Sequence, residues 1–451
     1  MKTIEKTLFS RRDDRTPEHG RIVYRGLLAA QCPSIRRADI DDLLGRASRL
    51  LRRAKTLVKR SRVEIFHRLA LRVRASCECS GSRPRTNFAH DQGLAVRLDH
   101  QDDTFSFSAS AGGGTDALDR AMAQALHGPA VKTSERDLWA TGPGSAMLDR
   151  DPGSVLPGED SLLAWLERAS SRVGSGGDGQ VQGPSWIEAG LTIETLVADG
   201  GLEASRSRRR VWAMALLRRF HPAPGRERPK ILVGRTLKNL PVNGWTASIG
   251  SGRRGGARVE KPRTGNLVVT GDASAGLVAA LTQAAHGSPR TGGAEVGRGW
   301  CLRDDPLFVG GMSGGIFDDA GFATRCRALA NGSRVVGVLG TRGHYLRPSF
   351  RDVPTPGFAT LVVAEKDDRM PAKGFLADGL RVHRLEADRW VLDLEGVWLG
   401  DGRPSLDADR LEVTVRPLEL VVRCTGSVGR AQQFWNGVVA PALIFEGIRL
   451  R

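Results

Sequence analysis

Residues Asn87–Leu98 of this chain read NFAHDQGLAVRL, and they are followed by FSFSAS at 105–110 and TDALDRAMAQAL at 115–126. Alternation of apolar and other residues predicts strands at Leu94–Leu98 and Phe105–Ala109. Apolar residues at helical spacing then predict a helix that starts at the N-cap Thr115 and stops at Gly128. Two strands followed by a helix indicate α+β organisation.

The same kind of pattern extends on both sides of this stretch. Leu69–Cys79 alternates and predicts another strand of an antiparallel meander. Residues 39–60 predict a helix with acidic residues in its first turn and basic residues at its end, as the helix dipole favours. A second amphipathic helix is predicted at Leu162–Ala169, and strands resume at Trp186–Val197 and Val211–Leu217.

The second half of the chain is dominated by short apolar segments separated by turn residues, which is typical of a β-sandwich or barrel-like domain. A helix is predicted near Gly276–Ala285. Strands are predicted at Leu267–Thr270, Val335–Leu339, Ala359–Val363, Arg389–Leu394, Glu412–Val415 and Leu418–Arg423. The Pro- and charge-rich stretch Phe220–Lys230 marks the boundary. We therefore predict an α+β fold, with an N-terminal α/β domain of antiparallel sheet and helices at 1–225 and a β-rich domain at 226–451.

The composition is that of a globular chain with a large excess of positive charge. Of 451 residues, 67 are Lys or Arg and 50 are Asp or Glu, which gives a formal net charge of +17. Such a charge suggests attraction to a polyanion or to an acidic partner. Aromatic residues make up only 6% of the chain. Because bases need aromatic platforms for stacking, we expect no specific nucleic-acid site.

Neither a membrane segment nor a secretion signal is expected. No run of about 18 apolar residues occurs, and the start MKTIEKTLFSRRDDR lacks the apolar core of a signal peptide. The six cysteines are scattered, which favours reduced thiols. Cys77 and Cys79 share one face of a predicted strand, where core packing is favoured over a metal site. These features predict a cytoplasmic protein.

Three collinear parts of the chain resemble the TldD/PmbA metalloprotease family. They are Asn87–Leu98 with the strand and helix that follow it, GIFDDAG at Gly315–Gly321 together with HYLRPSFRDVPTP at His344–Pro356, and CTGSVGRAQQFWNG at Cys424–Gly437. The resemblance spans about residues 62–451, and Ala320 stands where the family usually has Glu. It implies an α/β N-terminal domain followed by a β-rich C-terminal domain.

The resemblance also locates the position of the family's metal site. Catalytic members carry HExxxH on a helix, where two His bind zinc and Glu activates a water, and a Cys supplies a third ligand. In this chain Leu281 falls at the first His, Thr282 at the Glu and His286 at the second His, while Cys424 matches the Cys. Leu cannot ligate a metal, and Thr cannot act as a general base at neutral pH.

Two residual ligand positions are too few for a catalytic zinc site, so we expect no metal or cofactor in this chain. His286 is then interpreted as a polar residue near a helix end and Cys424 as a small buried residue. A rebuilt site would need unmatched residues such as His344 or Asp318. Adjacent strand residues point to opposite faces, so we interpret Asp318 and Asp319 as turn residues and not as a catalytic pair.

The resemblance implies the role of a metal-free TldE/PmbA-like subunit. Its partner would be a TldD-like subunit that keeps HExxxH and zinc, and the substrate would be a peptide or a peptide-derived intermediate. Two alternatives stay open: an enzyme in its own right, with a rebuilt metal site or metal-free chemistry, and a basic polyanion-binding protein. The second would use Arg206, Arg208–Arg210, Arg218, Arg219, Arg226 and Arg228.

Overall fold

The structure is a computed structural model of the whole chain. It describes residues 37–58, 61–78, 83–100, 104–132, 147–149, 157–174, 185–217, 228–234, 237–240, 263–287, 289–308, 311, 314–339, 344–347, 349–386, 389–434 and 436–450. The helices are α1 (Arg37–Leu57), α2 (Thr115–His127), α3 (Glu159–Gly174), α4 (Gly271–His286) and α5 (Pro417–Val422), with short 3-10 turns at Leu237–Asn239 and Pro289–Thr291.

The strands form two large sheets and one short hairpin. In the first half they are β1 (Arg62–Cys77), β2 (Arg85–Asp99), β3 (Thr104–Ala111), β4 (Val131–Lys132), β5 (Met147–Asp149), β6 (Ser185–Ala198), β7 (Leu202–Leu217) and β8 (Arg228–Gly234). In the second half they are β9 (Arg263–Val269), β10 (Cys301–Asp304), β11 (Arg327–Asn331), β12 (His344–Leu346), β13 (Thr355–Gly357), β14 (Leu361–Val363), β15 (Lys373–Glu386), β16 (Arg389–Gly400), β17 (Arg403–Val415), β18 (Cys424–Gln433) and β19 (Val438–Leu450).

The first sheet has the order β4-β3-β2-β1-β6-β7-β5, with β8 also paired to β7. The strands β1, β2, β6 and β7 pair antiparallel in long, regular registers. One face of the sheet is apolar because Leu69, Leu71 and Val73 of β1 project from it beside Leu191 and Ile193 of β6. Helices α1 and α3 pack against this face, and α1 and α2 cover its continuation towards β2.

The second sheet has the order β11-β10-β14-β19-β9-β15-β16-β17, with β18 beside β19. Most of its pairs are antiparallel, but β14 runs parallel to β19 and β9 runs parallel to β15. Helix α4 packs against β15, β19 and α5, and its buried face includes Leu277, Val278 and Leu281. This helix is therefore the centre of the main C-terminal core.

The predicted α+β fold class is confirmed: helices and an antiparallel sheet come first, and a β-rich part follows. The meander at β1, β2 and β3 forms as predicted. The pairing of β8 with β7 extends the first sheet to Gly234, past residue 225, and the second sheet begins at Arg263. The division into domains at 225/226 stays a prediction.

Three local predictions were wrong. Leu418–Val422 lies in α5 and not in a strand, and Arg423 caps this helix, because Pro417 is compatible with a helix start and Glu419 pairs with Arg423 one turn later. Of Val335–Leu339, Val335 makes an isolated bridge to Ala330, and the rest is not regular strand. The N-cap of α2 is Gly114 and not Thr115, which is already helical.

Candidate functional site

Helix α4 carries the positions that the sequence resemblance assigned to a metal-binding helix, and these residues are buried. Leu281, Thr282 and His286 are each fully buried, and Leu281 belongs to the main C-terminal core. The Thr282 hydroxyl has no hydrogen-bond partner within the described part of the chain. These positions therefore face the protein interior, where Leu281 and Thr282 offer zinc none of the imidazole, thiolate or carboxylate ligands that it takes in proteins.

Both ring nitrogens of His286 make hydrogen bonds inside the protein. The indole Nε1 of Trp300 donates to His286 Nε2 at 3.3 Å. The other nitrogen, Nδ1, lies 2.8 Å from the carbonyl oxygen of Gly337, so it carries the proton and donates. Burial lowers the pKa of His286, in agreement with a neutral ring. His286 thus has no free lone pair for a metal in this arrangement.

Cys424 is the other residual ligand position, and it lies at the start of β18 in the same core as Leu281. Burial raises the pKa of the Cys424 thiol to about 12, so the thiol stays protonated. Its carbonyl accepts a hydrogen bond of 2.9 Å from the backbone of Gly299, next to Trp300. A Cβ atom at Gly299 would overlap the backbone of Gly426, so glycine is needed for this close approach.

The two residual positions are therefore linked through one segment, because Gly299 contacts the Cys424 strand and Trp300 contacts His286. Both positions lie in a packed core with internal hydrogen bonds. Among the described residues, no group of three or more His, Cys, Asp or Glu is placed to hold a metal ion.

Asp318 and His344, the unmatched candidate ligands, lie elsewhere, at a buried contact between the first sheet and the C-terminal half. Asp318 accepts backbone hydrogen bonds from Ala320 at 3.0 Å and Phe322 at 2.9 Å through Oδ1, and from Tyr345 at 3.1 Å through Oδ2. The Asp318–Gly321 turn is closed by a backbone bond, and Gly321 adopts φ +86°. The turn role predicted for Asp318 is confirmed.

Asp319 points to a different partner, the guanidinium of Arg206 on β7. Arg206 donates through Nη2 to Asp319, through Nε to Glu194 at 2.6 Å and through Nη1 to the carbonyl of Phe317 at 3.0 Å. Arg206 is only 1% exposed. It is therefore unavailable to a polyanion, contrary to the surface that the sequence suggested. Arg218, Arg219 and Arg226 of that surface lie outside the described residues, and Arg228 is in β8.

A second arginine crosses the same contact in the opposite direction. Arg347, which follows β12, donates through Nη2 to Glu64 of β1 at 2.9 Å, and its backbone N–H donates to Asp319. Its guanidinium lies 4.3 Å from the ring centroid of Phe66. Phe350 packs directly on Gly93, where a Cβ atom would overlap the phenyl ring. We call the set Glu64, Gly93, Glu194, Arg206, Phe317, Asp319, Arg347 and Phe350 the junction.

The junction brings together motifs that lie far apart in sequence. Gly93 comes from NFAHDQGLAVRL, Phe317 and Asp319 from GIFDDAG, and Arg347 and Phe350 from HYLRPSFRDVPTP. All five meet where the first sheet contacts the C-terminal half. Sequence reasoning missed these ion pairs, because no local pattern indicates which arginine meets which carboxylate. Among the charged residues of the junction, only Glu194 lies in a strand that the sequence predicted, so no local signal for these pairs was available.

The charges at the junction perturb nearby titratable groups. Burial raises the pKa of Asp318 to about 6, against the effect of its three backbone hydrogen bonds. Burial and then the positive charges of Arg208, Arg206 and Arg327 lower the pKa of His344 to about 3. Arg206, Arg208 and Arg68 hold the pKa of Glu194 at about 2, despite burial. His344 is thus neutral and Glu194 ionised near neutral pH.

Comparison with known proteins gives matches in structure only. No protein-family model matches the chain, and no curated protein matches it in sequence. TldE from Thermococcus kodakarensis is similar with a TM-score of 0.72 at 15% identity, over 90% of this chain and 99% of that one. A candidate modulator of DNA gyrase from Bacteroides thetaiotaomicron gives 0.72 at 14% identity, over 89% and 98% of the two chains.

A third solved structure agrees with these two. A candidate modulator of a DNA gyrase from Thermotoga maritima gives a TM-score of 0.68 at 13% identity, over 90% of this chain and all of that chain. No described helix combines the length and the apolar character needed to span a bilayer. The predicted resemblance is therefore confirmed at the level of structure: along most of its length this chain has the fold of TldE and of the candidate gyrase modulators.

Proposed function

We propose that this chain is a non-hydrolytic partner subunit of a TldD-like zinc peptidase and acts in the cytoplasm. The observation that carries the proposal is the state of helix α4 within a TldE-like fold. Leu281 and Thr282 replace a ligand and the base, and Trp300 and Gly337 occupy both ring nitrogens of His286. The chemistry would be supplied by a partner that keeps HExxxH.

The close packing of the α4 core and of the junction supports the same role. The core around α4 and the junction are closely packed and internally hydrogen-bonded, so the shape of the subunit is specified without a metal. A partner chain of this kind would help to hold a peptide or a peptide-derived intermediate next to the zinc of the other subunit. An extended peptide is commonly held by strand addition to a sheet. The net charge of +17 would speed its association with an acidic partner or peptide.

Metal analysis of the isolated chain, combined with a peptide-hydrolysis assay, tests the non-hydrolytic part of this proposal. We expect zinc well below one per chain and no cleavage of unstructured peptides, before and after incubation with zinc. The variants His286→Ala and Cys424→Ala should leave the zinc content unchanged. Stoichiometric zinc that either substitution removes, together with hydrolysis, would instead establish an enzyme with a rebuilt metal site.

A further inference from the structure

The second face of the first sheet, opposite helices α1 and α3, carries rows of arginines. Three strands are in register there, so Arg68, Glu194 and Arg206 form one row, Arg72, Gly190 and Arg210 another, and Arg74, Glu188 and Trp212 a third. Residues opposite each other in such a register share one face. Ala70, Thr192 and Arg208 form a further row between the first two, so two adjacent rows of this face contain no carboxylate.

The two carboxylates in these rows, Glu194 and Glu188, are already engaged. Glu194 accepts from Arg206 at 2.6 Å and lies 3.7 Å from Arg68. Glu188 accepts from Arg74 at 2.6 Å. In the row next to that of Glu188, Arg72 and Arg210 make no side-chain ion pair or hydrogen bond with any other described residue. Two positive charges thus flank Gly190 with no carboxylate in contact, since Glu194, whose charge acts on Arg210 from a distance, is itself paired with Arg206.

Gly190 places no side chain between the two arginines. Its φ is not positive, and a Cβ atom there would make only ordinary contacts, with Arg72 Cγ and the carbonyl of Leu71 at 3.8 Å. Neither backbone conformation nor close packing therefore requires glycine. The Cα atoms of Arg72 and Arg210 are two strand spacings, or about 10 Å, apart. We call this space, between Arg72 and Arg210 over Gly190, the Gly190 hollow.

The two arginines differ in exposure, so one side of the hollow is open to solvent and the other is partly covered. Arg72 is exposed, whereas Arg210 is half-buried, and burial lowers its pKa. A half-buried guanidinium gains most from a charged acceptor, because charge-assisted hydrogen bonds strengthen as water is excluded. Beside the hollow, Trp186 and Trp212 stack edge to face at 6.5 Å, and Arg74 lies over Trp186.

We propose that the Gly190 hollow binds a carboxylate of a peptide, held between the guanidinium groups of Arg72 and Arg210. A planar carboxylate accepts from two guanidinium groups at once. A nucleic-acid backbone fits less well, because a polyphosphate that runs along the strands would meet Glu188 in the adjacent row on one side and Glu194 two rows away on the other. The choice of a peptide as the carrier of the carboxylate rests on the function proposed above.

The test is a fluorescence anisotropy titration of the full chain with a labelled hexapeptide that has one central glutamate and an amidated C-terminus. We expect Arg72→Gln and Arg210→Gln each to weaken binding about tenfold, since each removes charge-assisted hydrogen bonds. Arg62→Gln, which removes an exposed charge on the same face of β1 some 34 Å away, should leave binding unchanged. Thermal unfolding of each variant verifies that it is folded.

Three further peptides or polymers identify the ligand. The glutamine version of the hexapeptide should bind at least tenfold more weakly. If the glutamine version with a free C-terminus binds well and is sensitive to Arg72→Gln, the hollow takes a terminal carboxylate. If duplex DNA binds more tightly than the peptide and depends on both arginines, the peptide assignment is overturned. Equal binding of all variants, or of the glutamine peptide, would overturn the site itself.

A substitution that supplies the missing carboxylate gives an independent readout. Gly190→Asp should abolish peptide binding and raise the melting temperature above that of Gly190→Asn, which fills the hollow without a charge. An aspartate variant no more stable than the asparagine variant would contradict the proposal. All of these measurements use the chain alone. They can therefore fail while the partner complex forms, and they can succeed while it does not.

Discussion

Arg206 of the first sheet and Asp319 of the C-terminal half form a buried ion pair, and the same guanidinium also binds Glu194 and the carbonyl of Phe317. The pair joins two parts of the chain that are more than one hundred residues apart in sequence. Removing both charges from water costs a large desolvation free energy, and the attraction between the two charges offsets this cost. The loss of one partner leaves the other charge buried.

We expect Arg206→Met to destabilise the chain by about 3–5 kcal/mol, because Asp319 and Glu194 then lack their main counter-charge. Arg410→Met serves as the control. It breaks an exposed pair with Glu395, which should cost less than about 1 kcal/mol. Chemical denaturation of both variants measures the difference. Equal free energies of unfolding would show that the junction contributes no more than a surface contact.

The contact of Gly93 with Phe350 gives a second prediction. Gly93→Ala should destabilise the chain by about 1–3 kcal/mol, because its methyl group would overlap the phenyl ring and force it to move. Gly190→Ala, in the same sheet but with room for a Cβ atom, is the matched control and should be close to neutral. Phe350→Leu should recover part of the loss in the Gly93→Ala background. A Gly93→Ala variant as stable as the control would contradict this packing.

The sequence was informative where local chemistry decides the structure. The helix predicted at 39–60 is α1, and the meander and the helix at 276–285 were also found. The turn at Asp318 was predicted because two adjacent strand residues cannot face the same side. Leu418–Arg423 was misassigned because six mostly apolar residues fit a strand as well as a helix.

The junction and the bonds of His286 could not be predicted in the same way. Arg206 meets Asp319, and Trp300 meets His286, only because the tertiary fold brings distant segments together. The sequence did indicate that His286 lies near a helix end and that Cys424 is buried. It contained no sign of the acceptor at Gly337 or the donor at Trp300.

His286→Ala should reduce stability by about 2 kcal/mol or more, since it leaves the Trp300 indole N–H and the Gly337 carbonyl buried without their partner. His383→Ala, which removes an exposed imidazole beside Asp393, should change stability little. Thermal or chemical denaturation measures both. If His286→Ala is neutral for stability and instead releases a bound metal, the structural role assigned to His286 is wrong.

Asp318 and His344 should give opposite dependences of stability on pH. The folded pKa of Asp318 is raised to about 6 from 3.8, so its ionisation destabilises the fold as pH rises between these values. The folded pKa of His344 is lowered to about 3 from 6.5, so protonation of the unfolded chain destabilises the fold as pH falls through this range.

We therefore expect the two substitutions to change the pH profile in opposite directions. Between pH 4 and 6, about the interval between those two Asp318 values, the stability of Asp318→Asn should rise more steeply with pH than that of the unsubstituted chain. The stability of His344→Gln should rise less steeply. Denaturation midpoints at several pH values give the slopes directly. Identical slopes for all three proteins would show that neither group is perturbed at the junction.

The most direct test of the partner-subunit proposal is co-expression with a TldD-like protein that retains HExxxH, followed by size exclusion and a peptide-cleavage assay. We predict that the two chains elute together, that zinc is present only in the partner, and that the complex cleaves peptide that neither chain cleaves alone. Separate elution at micromolar concentration, or a partner equally active without this chain, would contradict the proposal.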